Sequence, residues 1–182
     1  MREKPEILSA ATIAKTRLFR VERVDLRFSN GVIVQYERLA ASPGGAVLVA
    51  PVLDEDTVLL IREYAAGVHR YELALPKGRI EPEEDPLAAA NREIMEEVGY
   101  GARRLRRVAS LTLAPGYLSH VTHVVLAQEL FEQKTPGDEP EEIEVVPWRL
   151  SRLDALLARD DCTEARSIAA LFIVREILTH GR

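Results

Sequence analysis

From Leu18 to Ala40 apolar and polar residues alternate. Val21, Val24 and Leu26 precede an Asn30-Gly31 pair, and Val32, Val34 and Tyr36 follow it. Alternation on both sides of Asn-Gly predicts a β-hairpin, because that pair accepts the positive φ its turn demands. The run Ser42–Gly45 reads as a linker or tight turn. Two strand-like runs, Ala46–Val52 and Thr57–Arg62, flank the acidic turn Asp54-Glu55-Asp56, and Tyr71–Leu75 is a short apolar piece. Over Pro86–Val98 the period changes. Leu87, Ala90, Ile94 and Val98 recur at steps of three and four, which predicts a helix with Pro86 in its first turn and Gly99 at its stop. Strands resume at Arg107–Leu113 and Val121–Leu130, and the acidic stretch GDEPEEIE leads into VVPW. Helical stretches at Leu153–Arg159 and Glu164–Thr179 close the chain; Trp148, Ile168, Leu171, Phe172 and Ile177 read as core. Strands on both sides of a central helix, without regular βαβ alternation, predict an α+β sandwich with a mixed sheet rather than a Rossmann sheet.

The chain's 182 residues suit one compact domain with some extra elements, and a hydrophobic fraction of 47% suffices for a core. A net charge of −5 without any long Lys/Arg block argues against non-specific nucleic-acid binding. Cys162 is the sole cysteine, which excludes an intramolecular disulfide and a cysteine-ligated zinc site and points to a reducing cytoplasm. Neither a signal peptide nor a membrane-spanning apolar stretch is visible, so a cytoplasmic protein without a membrane partner is expected.

The informative segment runs from Gly78 to Tyr100. Glu93, Glu96 and Glu97 stand at i, i+3 and i+4 of the predicted helix, so their carboxylates share one face. Clustered like charges destabilise a bare helix, and a hard divalent cation with oxygen ligands, Mg²⁺ or Mn²⁺, relieves them. Taken alone, such a cluster is more often a solvated charged face. Its surroundings alter that balance. Gly78 lies six residues before Glu84, Arg92-Glu93 follow eight and nine residues after Glu84, and Ile94, Glu96, Glu97 and Gly99 complete a fixed spacing.

That spacing is G-x5-E-x7-R-E-U-x-E-E-x-G-U, where U is bulky and aliphatic. All its identity-fixed positions match, a coincidence on the order of 10⁻⁹ per start position at ordinary residue frequencies. The chain resembles the Nudix family; Tyr100 at the last position departs from the pattern, at a packing site. The resemblance implies a Nudix α/β/α sandwich over residues 45–182, with the box at 78–100. A small antiparallel β element over residues 1–44 precedes it. Glu93, Glu97 and Glu96 are implied as metal ligands, with the Lys77 backbone carbonyl as a further one and Gly78 permitting the close approach. Glu84 and Arg92 are implied to pair and lock the loop onto the helix. The reaction implied is attack on a diphosphate bond by a metal-activated water, yielding two phosphate monoesters.

The box alone does not name a substrate. The N-terminal hairpin, the run around Arg62 and Tyr64, and Pro115, fifteen residues after Tyr100, resemble the ADP-ribose diphosphatase branch. Within it the likeness is to hydrolases of ADP compounds: ADP-ribose, NADH and diadenosine oligophosphates. That likeness implies Glu139 as general base, with Glu96 a second catalytic candidate, and Glu141 in the metal shell. A solvated acidic loop is the alternative for that stretch. Arg62, Tyr64, Phe19, Tyr36 and Glu37 are implied substrate contacts, the last three equally readable as packing of the N-terminal sheet. Ala65 and His120 depart from the branch's usual basic and acidic residues. Relatives pair through the N-terminal sheet, so a homodimer is expected. Two other readings stay open: a Nudix enzyme for another diphosphate, favoured by Pro76-Lys77-Gly78, and a non-catalytic sensor of ADP-ribose or NAD, disfavoured by the intact glutamate triad.

Overall fold

A computed structural model describes residues 2–41 and 44–181. Ser42 and Pro43, half of the expected linker, lie outside the described residues. The chain divides into two compact units: Met1–Pro43 with Thr112–Val121, and Gly44–Leu111 with Thr122–Arg182.

The first unit is a three-stranded antiparallel sheet in the order β1-β2-β3, with β1 at Glu6–Lys15, β2 at Arg20–Arg27 and β3 at Ile33–Leu39. The predicted hairpin is β2–β3. Gly31 takes φ 83°, and the Asn30 side chain accepts from the Val32 amide at 3.1 Å, which closes the turn. Strand β1 was not expected. Small residues (Ser9, Ala10, Ala11, Ala14) blur its alternation, two register shifts interrupt its pairing, and every residue in it is exposed. The segment Thr112–Val121 also belongs here, because Leu39 donates its amide to the Tyr117 carbonyl at 2.8 Å and accepts from Ser119 at 3.2 Å. The strand expected to reach Leu113 therefore stops short.

In the second unit, β4 (Ala46–Pro51) runs parallel to β9 (Thr122–Glu132) and antiparallel to β7 (Lys77–Arg79); β8 (Tyr100–Leu111) completes the order β7-β4-β9-β8. A second sheet has the order β10-β5-β6, with β5 at Thr57–Ala65, β6 at Arg70–Ala74 and β10 at Glu144–Arg149. Strand β4 is buried along its whole length, as a strand covered on both faces must be. Leu48 and Ala50 join a core with Leu171 and Val174 of α3 (Ala165–His180) and Leu153 and Leu156 of α2 (Leu153–Leu157). Val47 and Val49 join the opposite core with Ala90 and Ile94 of α1 (Pro86–Glu97). This is the expected α/β/α sandwich with a mixed sheet. Trp148, Ile168, Phe172 and Ile177 pack against the α3 core.

Two further strands differ from the sequence reading. Strand β8 begins at Tyr100, seven residues before Arg107, because it is an edge strand whose exposed Arg103 and Arg104 hide the alternation. Strand β7, three residues long, is too short to show a period. Helix α1 starts where its chemistry requires: the Asp85 carboxylate accepts from the Leu87 and Ala88 amides at 2.8 and 3.2 Å, Pro86 follows, and Gly99 leaves with φ 80°. Among the described residues no helix is long and apolar enough to cross a membrane.

Candidate active site

Helix α1 presents Glu93 and Glu97 one turn apart, and both are buried, at 8% and 7% exposure, with Glu96 half-buried beside them. The solvated-face alternative therefore fails for this pair. Their cover is β7. A Cβ on Gly78 would lie 2.0 Å from the Glu93 carboxylate, so only glycine leaves that carboxylate its place. The next residue back, Lys77, donates its amide to Glu97 Oε2 at 3.1 Å and its ammonium to Glu63 Oε2 at 2.6 Å.

Sinking carboxylates in this way is costly unless something compensates the charge. Burial, reinforced by Glu93, pushes the Glu97 carboxyl up to about 8 against the opposing pull of Lys77. Burial also raises Glu93, with Arg92 opposing it. Among the described residues no three acidic or histidine side chains form a ready-made metal cluster. Instead Arg92 Nη1 donates to Glu93 Oε1 at 2.7 Å and to Glu96 Oε2 at 3.2 Å. The donors are nonetheless all hard carboxylate oxygens gathered against one glycine, a set that fits Mg²⁺ or Mn²⁺.

Arg92 has a second set of partners. Its Nε and Nη2 reach the two Glu84 oxygens at 2.9 and 3.1 Å, and Nη2 also donates to the Arg79 carbonyl at 3.0 Å. Glu84 in turn accepts from the Glu81 amide at 2.9 Å. One guanidinium thus joins the 79–84 loop to α1 through a bidentate pair.

Glu93, Glu96 and Glu97 line a cleft of about 300 Å³ whose opposite wall is the loop from Lys134 to Ile143, including Asp138, Glu139 and Glu141. Burial raises the Glu139 carboxyl; Glu63 and Asp138 add to the rise and Lys77 opposes it. Glu141, expected in the metal shell, accepts from the Tyr71 hydroxyl at 2.6 Å. A larger cleft of about 660 Å³ lies between the Asp54–Asp56 turn and α3 and shares no residue with this site.

The other expected residues fall outside the cleft wall. The Arg62 guanidinium is bonded to Glu144 at 2.9 Å and to Asp161, and Arg62 and Tyr64 both line a small recess shared with Glu139 and Glu141. Phe19, Tyr36 and Glu37 are exposed residues of the first unit. His120 precedes β9 and belongs to the first unit. Sequence reasoning passed over Glu63 and Tyr71. In β5 Leu59 and Ile61 face the α1 core, whereas Val58 and Leu60 face the α3 core. Period two therefore carries Glu63, not Arg62 or Tyr64, to the α1 side. The signal was present, but the motif drew attention to its neighbours. Tyr71 had no local signal, since its partner is seventy residues away.

Comparison with known proteins agrees with this geometry. Residues 5–38 match the NudE-type Nudix hydrolase N-terminal domain and residues 42–172 match the NUDIX domain. The chain is 48% identical to ADP compounds hydrolase NudE of Escherichia coli (strain K12) over 176 residues, covering 97% of this chain and 94% of that protein. It is 31% identical to ADP-ribose pyrophosphatase of Bacillus subtilis (strain 168), over 90% of this chain and 91% of the relative. A crystal structure of an ADP compounds hydrolase superposes with a TM-score of 0.91 at 46% identity, covering 100% of this chain and 97% of the other. With its box glutamates buried against Gly78 and both family domains matched in order, the chain belongs to the Nudix family as a NudE-type Nudix hydrolase.

Proposed function

We propose that this protein hydrolyses the diphosphate bond of ADP-linked compounds, namely ADP-ribose, NADH and diadenosine oligophosphates, to AMP and a second phosphate monoester. The observation that carries the reading is the buried Glu93–Glu97 pair facing a loop of further carboxylates across one cleft. The resemblance to ADP compounds hydrolase NudE supports the substrate class.

Glu93, Glu97 and Glu96, with the Lys77 carbonyl, would hold the divalent cations, and Glu141 is a further candidate through Oε2, the oxygen that does not accept from Tyr71. A cation bound there supplies positive charge against the diphosphate and acidifies the attacking water. Glu139 takes a proton from that water as general base, a role its raised carboxyl suits; Glu96 is the second candidate. The water oxygen joins one phosphorus, the bond from that phosphorus to the bridging oxygen breaks, and the bridging oxygen stays with the other phosphate. Arg92 and Glu84 keep the 79–84 loop on α1 and do not touch substrate. Tyr64, Arg62, Phe19, Tyr36 and Glu37 are proposed to contact the nucleotide. Of these Arg62 is the weakest, because two carboxylates already engage it.

We further propose a homodimer formed through the N-terminal sheet. Strand β1 is an exposed edge, and Ile7 and Ile13 on it are 57% and 46% exposed, a surface a second copy would cover. The free, buried thiol of Cys162 suits a cytoplasmic location. Product analysis with ADP-ribose, NADH, diadenosine triphosphate and dATP, each with Mg²⁺ and with EDTA, tests the function. AMP from the first three, only with metal, is expected. Tight ADP-ribose binding without cleavage would transfer the protein to the sensor reading.

A further inference from the structure

The loop opposite α1 is anchored at both ends. Thr135 donates its amide to the Met95 carbonyl at 3.1 Å, and Glu144 begins β10 in register with Arg62 of β5. Between those anchors, residues 136–143 form no helix or strand, yet they carry Asp138 and Glu139 into the cleft. What reaches the middle of this span is Tyr71 of β6, whose hydroxyl donates to Glu141 Oε1 at 2.6 Å. Tyr71 is itself braced. It is the register partner of Tyr64 across β5–β6, the two rings meet edge to face at 5.7 Å, and the Tyr64 hydroxyl bonds to His69 Nδ1. His69 holds φ 54°, and its ring meets Tyr64 edge-on. Tyr71 is 48% exposed, so its ring adds little to either core. Its directed contribution is one hydrogen bond to a carboxylate, a strong class of bond.

We infer that Tyr71 is a positioning residue for the reaction: its hydroxyl ties down Glu141 and so holds the loop that delivers Glu139 to the cleft lined by Glu93 and Glu97. A chemical group held in place before substrate arrives needs no ordering at the moment of reaction, and a misplacement of about 1 Å can cost on the order of a hundredfold in rate. The β5–β6 hairpin is thereby the rigid post against which an irregular catalytic loop is set. This inference rests on the reading that Glu139 acts in catalysis.

The test is Tyr71→Phe in the full chain, read without metal or substrate by the rate of cleavage after Glu142 by a glutamate-specific protease, by thermal melting, and by kcat and KM for ADP-ribose. Cleavage should speed up at least about fivefold, kcat should fall about tenfold with KM nearly unchanged, and the melting temperature should not move. Glu141→Gln, which keeps an acceptor for the hydroxyl, should retain the loop's resistance to cleavage, whereas Glu141→Ala should lose it. Combining Glu141→Ala with Tyr71→Phe should expose the loop no further than either alone. Cleavage unchanged in Tyr71→Phe, or cleavage accelerated with kcat intact, overturns the inference. Because cleavage is read without substrate, the latch is decided even if ADP-ribose proves not to be hydrolysed, a result that would instead count against the proposed function.

Discussion

The Cβ that Gly78 lacks would fall 2.0 Å from the carboxylate of Glu93, a closer approach than any real contact allows. The glycine and the glutamate, fifteen residues apart, are two halves of one feature: the strand passes at backbone distance because the acid needs the space. Gly78 does not use a positive φ, so alanine meets no backbone penalty there. What must give is the far end of the Glu93 side chain. Gly78→Ala should therefore leave stability within about 1 kcal/mol of the parent. It should lower kcat about a hundredfold by swinging that carboxylate away. Urea unfolding and steady-state kinetics on one preparation check both halves.

Arg92 is expected to behave in the opposite way. It bridges Glu84, Glu93 and Glu96 and holds the Arg79 carbonyl, so removing it strands several partly buried oxygens together. Arg92→Ala should cost about 2 kcal/mol of stability. Arg92→Lys should recover less than half of that, since an ammonium lacks the planar fork needed for two Glu84 oxygens. Chemical denaturation of the three proteins orders them directly.

Much of this arrangement was legible before any coordinates. The Asn30-Gly31 hairpin and the α1 boundaries follow from local rules, because each is decided by neighbours within one turn. The box spacing located Glu93, Glu96 and Glu97 for the same reason. Other features were not legible. Strand β1 depends on pairing with β2, not on its own pattern. The segment 112–121 joins the N-terminal unit through Leu39, some eighty residues away in sequence. That Glu93 and Glu97 are buried is decided by β7 crossing the helix, which no helical period reveals.

Glu97 offers a separation of stability from activity. It is buried near Glu93 and Glu63, with the Lys77 amide as donor. Glu97→Gln keeps an acceptor for that amide and removes the charge. In the presence of EDTA the variant should melt no lower than the parent, although its turnover with Mg²⁺ is lost. A melting point several degrees lower would mean that the carboxylate serves the fold.

Acid sensitivity is expected from Asp161, on the face of the unit remote from α1. The guanidinium of Arg159, and then that of Arg62, hold its carboxyl well below the usual carboxylate range. A carboxyl depressed in the folded state stabilises the protein above its unfolded-state value, near 4, and loses that contribution as pH falls toward its folded value. Asp161→Asn should therefore be less stable than the parent by a constant amount from pH 8 to about 5, with the gap narrowing below about pH 4. Urea midpoints across that range measure it; a gap that stays constant to pH 3 would contradict the assignment.

The central claim, hydrolysis of an ADP-linked diphosphate through the α1 carboxylates, is tested most directly by mass analysis of products from ADP-ribose in ¹⁸O-water with Mg²⁺. The account predicts AMP and ribose phosphate, a single ¹⁸O atom in one of the two and none in the other, and no product from Glu97→Gln. Absence of AMP with the parent protein and Mg²⁺, or undiminished AMP release by Glu97→Gln, would contradict it.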